Sequence, residues 1–145
     1  MAFSDYLEDK LLEHIFTSTG YTSPNASIYC GLLTAAPTDS STGATVTEVA
    51  ASNAYARVQV TNWTVSGTNP TQATNDAAIE WPTATGSWGT VSHIGVFDGG
   101  TVGAGNLLCY VNLSDPDDST TAVSKTISNG DVFRILATKL SIRID

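Results

Sequence analysis

Gly86-Ser87-Trp88-Gly89-Thr90-Val91-Ser92-His93-Ile94-Gly95-Val96-Phe97-Asp98 is the stretch whose reading decides the fold. Trp88, Val91, Ile94, Val96 and Phe97 place large apolar groups on both sides of an extended backbone, and Thr90, Val91 and Val96 are β-branched. Gly89 and Gly95 withhold side chains where a neighbour must pack closely. A strand apolar on both faces has to be covered on both, which puts this segment in the middle of a sandwich or barrel. His93 then reads as a hydrogen-bonded core histidine rather than a catalytic base.

Outward from this strand the chain is β-like on both sides, with one exception. Residues 4–19 are expected to form an amphipathic helix, with Ser4 as N-cap and Asp5, Glu8 and Asp9 near the positive end of its dipole. Leu7, Leu11, Leu12, Ile15 and Phe16 fall on one face, and Gly20 suits the position just past the end. That face must cover the β core or dock on a neighbouring subunit. Strands are expected over 27–34, 54–65, 77–81, 106–113, 123–127, 132–136 and 139–144, with loops at 35–45 and 67–76. Asp98 to Gly105 reads as a glycine-dense reversal, and Asn129-Gly130 as a tight turn. About eight strands at this spacing predict a mainly β fold, an N-terminal helix followed by a jelly-roll-like β-sandwich. Residues 1–145 form a single domain in this reading, with the helix at 4–19 and the sandwich at 26–145.

Charged residues make up only 14% of the chain, and small neutral polar residues fill the gap, a surface suited to packing in an assembly. The formal charge is −8, and the six bases are scattered singly, so no basic stripe is available for nucleic acid. No apolar run reaches the length of a membrane span, and Met1 to Asp5 lacks the features of a secretory signal. The three Asn-X-Ser/Thr sequons at Asn25, Asn62 and Asn112 are therefore read as chance matches. Cys30 and Cys109 lie in apolar strand patterns and read as buried reduced thiols.

Catalytic motifs are missing where they would be sought. His14 and His93 are the only histidines, no Gly-X-Ser-X-Gly elbow occurs, and the glycines of 99–105 lack the Lys-Ser/Thr of a phosphate loop. Asp115, Asp117 and Asp118 have the oxygens for a cation but not the spacing of a calcium loop. No catalytic residue, cofactor or metal is expected.

Several segments taken together carry a resemblance. They are the helix Phe3 to Phe16, Tyr29-Cys30-Gly31-Leu32-Leu33-Thr34-Ala35-Ala36-Pro37, Ala54-Tyr55-Ala56-Arg57-Val58, Pro82 to His93, and Asn129-Gly130-Asp131-Val132-Phe133. In order and spacing the chain resembles small virion proteins of tailed bacteriophages, variously labelled tail fibre, minor tail or head decoration (cement) proteins. Members often carry Gly-Gly ahead of the Tyr-Ala-Arg motif, where this chain has Ser52-Asn53-Ala54. The resemblance implies a structural β-sandwich that trimerises and has no catalytic residues.

On that footing the expected role is a homotrimeric capsid decoration protein on the virion exterior, made in the host cytoplasm and bound to the major capsid protein. The alternative is a tail or tail-fibre component, with host-receptor binding as its task. Tyr6, Leu7, Tyr55 and Trp63 are the candidate interface residues, because aromatic and large apolar groups dominate protein interfaces. Neither nucleic acid nor membrane is an expected partner.

Overall fold

The 86–98 segment does not run as one strand. A computed structural model describes residues 2–22, 28–67, 71–115, 118 and 120–144. In it the segment splits at Ser92 into β7 (Gly89–Val91) and β8 (His93–Phe97), which belong to different sheets. Ser92 donates its N–H to the Leu33 carbonyl at 2.9 Å and accepts the Leu113 N–H at 2.9 Å. It therefore serves as the corner where the chain leaves one sheet for the other.

β8 is central in a five-stranded antiparallel sheet. Its neighbours are β9 (Leu107–Asn112) and β2 (Tyr29–Leu33), flanked by β1 (Ala2–Phe3) beyond β9 and β3 (Val58–Gln59) beyond β2. The expectation of burial on both faces holds for β8. Ile94 and Val96 point into the main core with Cys30, Leu32 and Cys109. Phe97, on the opposite face, packs in a second cluster with Leu33 and Leu107, against Val46. Gly31 and Gly95 stand directly opposite each other across β2 and β8. A Cβ at either would come within 3.0 Å of the Phe97 ring. The paired glycines are what let that ring lie flat on the sheet.

The main core is closed by three smaller sheets. β4 (Trp63–Ser66), β5 (Thr71–Asn75) and β12 (Ser141–Ile144) form one, in the order β12-β5-β4. β7 pairs with β10 (Lys125–Ile127), and β6 (Ile79–Glu80) pairs with β11 (Arg134–Ile135). Ile79, Trp81, Trp88, Val91, Ile127 and Leu140 fill the space between. The fold is mainly β with one N-terminal helix, consistent with a β-sandwich.

Three expectations are corrected in detail, and a fourth, the Asn129-Gly130 turn, holds. The helix α1 spans Asp5–Phe16 and stops before Gly20, because both the N–H and the hydroxyl of Thr17 bond the Glu13 carbonyl. The 54–65 strand survives only as β3 and β4, since Asn53 and Ala54 sit at φ of 52° and 67° and start the segment as a turn. The region 67–76, read as loop, contains β5. Asn129-Gly130 makes its turn, with the Asp131 N–H on the Ser128 carbonyl, but its flanking strands pair with β7 and β6 rather than with each other.

Asn53 and Ala54, where this chain departs from the Gly-Gly pattern, sit in backbone that favours glycine. These two positions need the left-handed backbone that glycine adopts without penalty.

Candidate functional site: a buried ionic core and an exposed helix

Arg57 and Glu48 form an ion pair with side chains 0% and 3% exposed. The pair is densely hydrogen-bonded. Arg57 Nη2 donates to Glu48 Oε2 at 2.7 Å, Nε to both carboxylate oxygens, and Nη1 to the carbonyls of Gly99 and Ala104 at 2.8 and 3.0 Å. The guanidinium stacks on Phe97, 3.6 Å from the ring centroid. One buried cation thus ties the 48 loop and the 98–105 reversal to the ring lying on the glycine pair. A buried pair left half-satisfied is costly, and here each of the three guanidinium nitrogens donates to at least one oxygen.

Tyr55 completes this network. Its hydroxyl donates to Glu48 Oε1 at 2.9 Å and accepts the Leu32 N–H at 2.7 Å. Burial, reinforced by the Glu48 charge, pushes its phenol well above the ordinary tyrosine range. The ring meets Trp88 edge-on, with centroids 5.2 Å apart. At 5% exposure Tyr55 is a core residue and not an exposed anchor. The Ala-Tyr-Ala-Arg motif therefore encodes an internal polar strut.

The other interface candidates lie near one another. Tyr6 and Leu7 on α1 and Trp63 on β4 are half-buried and pack against the main core. Leu7 and Trp63 line a shallow, open apolar depression of about 200 Å³, with Ile28, Ala73, Val96, Leu108, Cys109 and Ile142 as the remaining wall. The depression sits where the five-stranded and three-stranded sheets part company beneath the start of α1.

α1 is pinned only at its N-terminus. Ser4 Oγ accepts the Leu7 N–H and donates to the carbonyls of Leu107 and Leu108, and the Asp5 N–H bonds the Asp39 carbonyl at 2.8 Å. No helix residue is buried. Leu12, Ile15 and Phe16 are 58%, 65% and 78% exposed. The amphipathic pattern was legible, but the expectation that its face covers the β core holds only for the first turn, through Tyr6 and Leu7.

His93 is half-buried, with Nδ1 2.8 Å from Ser92 Oγ, and burial lowers its pKa. His14 is exposed and accepts the Tyr21 N–H. Among the described residues no group of His, Cys, Asp or Glu is arranged to hold a metal ion. Asp118 spends its carboxylate on the hydroxyls of Thr120 and Thr121, which hold its pKa down at about 2; Asp117 lies outside the described residues. Cys30 and Cys109 are free and buried. Both stand opposite Val96, one on each side of β8. Two inter-strand spacings of roughly 4.8 Å separate them, beyond a disulfide's reach of about 7 Å. No helix among the described residues is long and apolar enough to cross a membrane.

The fold is mainly β with one N-terminal helix, and its buried ion pair ties the chain's own segments together. The chain belongs to the family described as Podophage GP4 fiber I protein gp80, whose model matches residues 2–143. It is thereby a bacteriophage virion structural protein, as the sequence resemblance implied. A search of curated proteins returns no match.

Proposed function

We propose that this chain is a non-catalytic building block of the phage tail-fibre apparatus, acting as a homo-oligomer that docks on a neighbouring virion protein. The family match over residues 2–143, to a family described as a fibre protein, carries this reading. The structure supports it in two ways. The buried charges of Arg57 and Glu48, with the Tyr55 hydroxyl, are committed to one internal strut. The surface offers an apolar helix end, the kind of feature that marks a protein contact.

The decoration role, with the major capsid protein as partner, predicts a different address on the particle. Immunogold labelling of intact virions with antibodies to the purified chain separates the two. Gold confined to the tail is the expected result. Gold spread evenly over the head would replace the fibre reading with decoration.

A further inference from the structure

We propose that α1 is a hinged flap, which swings off the β core and back while the sheets stay folded and uncovers the Cys109 thiol beneath it.

The hinge is the junction of β1 and α1. Phe3 stands opposite Cys109 in the β1–β9 ladder, so the chain just before the helix is part of the five-stranded sheet. Ser4 follows in extended backbone, at φ −84° and ψ 155°, and is 0% exposed. Its N–H bonds the Leu108 carbonyl at 3.0 Å, which fixes it to β9. Hinges are commonly of this kind, a few residues at the end of an element that absorb a change of backbone angle. Beyond Ser4 the helix is lightly held. The Asp5 N–H meets the Asp39 carbonyl, and the helix residues that pack against the main core are Tyr6 and Leu7. Residues 17–20, which lead away from the far end, are all exposed. The Tyr21 N–H bonds His14 on the helix itself, so that contact travels with α1.

The cost of opening is small beside the cost of unfolding. Local openings range in free energy from almost nothing up to the full stability of the fold, according to the contacts they break. α1 has its first-turn packing to lose, whereas the sheets share a core that runs from Cys30 to Leu140. A helix of 12 residues is itself marginal in water, so α1 gains little from its own hydrogen bonds. The two cysteines report the two events separately. Leu7 is the α1 residue on the wall of the apolar depression, and Cys109 lies on the same wall, 3% exposed. Cys30 sits inside the sheet, opposite Val96 on one side and Val58 on the other. Swinging Leu7 away opens a path to Cys109 and none to Cys30.

The test is slow alkylation of the native chain. Dilute protein is held in excess iodoacetamide for hours, with and without urea below the unfolding midpoint, and each cysteine is followed by peptide mass spectrometry. Neither thiol reacts within the minutes of a titration. Over hours Cys109 should be modified at least about 100-fold faster than Cys30, as a local opening outruns global unfolding. Each molar of urea should speed Cys30 by about 30-fold, the effect of a typical global slope, and barely change Cys109. Opening breaks the bond from the Leu7 N–H to Ser4 Oγ, so Ser4→Ala should speed Cys109 by about 5-fold, the usual worth of an N-cap. Equal rates with equal urea dependence would overturn the flap, since only global unfolding would then reach either thiol. So would a Cys109 that stays unmodified until the unfolding transition. A fast Cys109 rate that Ser4→Ala leaves unchanged would mean that the reagent arrives by another route, and would overturn it too.

Discussion

Replacing Glu48 by Gln keeps the size and one acceptor oxygen but leaves the Arg57 guanidinium without its counter-charge in a site closed to water. Arg57 has three hydrogen bonds to the Glu48 carboxylate and two to backbone carbonyls, and its side chain is 0% exposed. Removing one partner of a buried pair costs about 3–5 kcal/mol, because the remaining charge is uncompensated. Against a typical total stability of about 5–15 kcal/mol, that is a large share. At a urea slope near 2 kcal/mol per molar, a loss of about 4 kcal/mol moves the unfolding midpoint down by about 2 M. Arg57→Met should cost a similar amount, stranding Glu48 and freeing the Gly99 and Ala104 carbonyls. The double variant Glu48→Gln/Arg57→Met should cost clearly less than the two singles added, with a coupling of roughly 2 kcal/mol or more. A pair so buried is also unscreened, so roughly 0.5 M NaCl should leave these differences unchanged. A Glu48→Gln midpoint within about 0.3 M of wild type, or an additive cycle, would refute the reasoning.

Four further outcomes follow from the same structure. Asn75→Ala leaves the Leu140 N–H and the Ala77 and Leu136 carbonyls without their side-chain partner, and should cost about 3 kcal/mol in urea unfolding. Ala54→Gly relieves a left-handed backbone at φ 67° and should raise stability by about 1 kcal/mol, read as a higher thermal midpoint. His93 has its folded pKa below the unfolded value of about 6.5, so the unfolded chain takes up the proton first. Stability should therefore fall as pH drops below about 6.5 and level off below the folded pKa, and His93→Gln should lose that component of the slope. Burial raises both thiols, Cys109 to about 12, so a chromogenic disulfide reagent should titrate neither cysteine in the native protein and both after denaturation.

What the sequence disclosed depended on how local the cause was. The two-faced apolar pattern of 93–97 announced a central strand, and the capping serine with spaced leucines announced α1. The break at Ser92 was hidden because both halves are extended and apolar, and only their partners differ. β5 escaped because Thr71-Gln72-Ala73-Thr74-Asn75 has no large apolar residue; it is held by strands on both sides and by the buried Asn75 amide. Tyr55 was misplaced for a related reason. An aromatic in an alternating run gives no sign that a glutamate in the preceding loop will receive its hydroxyl. One signal for the ionic core was on view: Arg57 is a lone base among apolar and small residues, the setting in which a buried guanidinium needs a carboxylate. The exposed helix end was not legible, since an amphipathic pattern fixes a face but not what covers it.

The claim that this chain builds the fibre apparatus is tested most directly by counting it. Quantitative mass spectrometry of purified virions, with the major capsid protein as internal standard, gives the copies per particle. A fibre component follows the low rotational symmetry of a tail and should be present on the order of tens of copies. A count in the hundreds, tracking the capsid lattice, would contradict the account and place the chain on the shell.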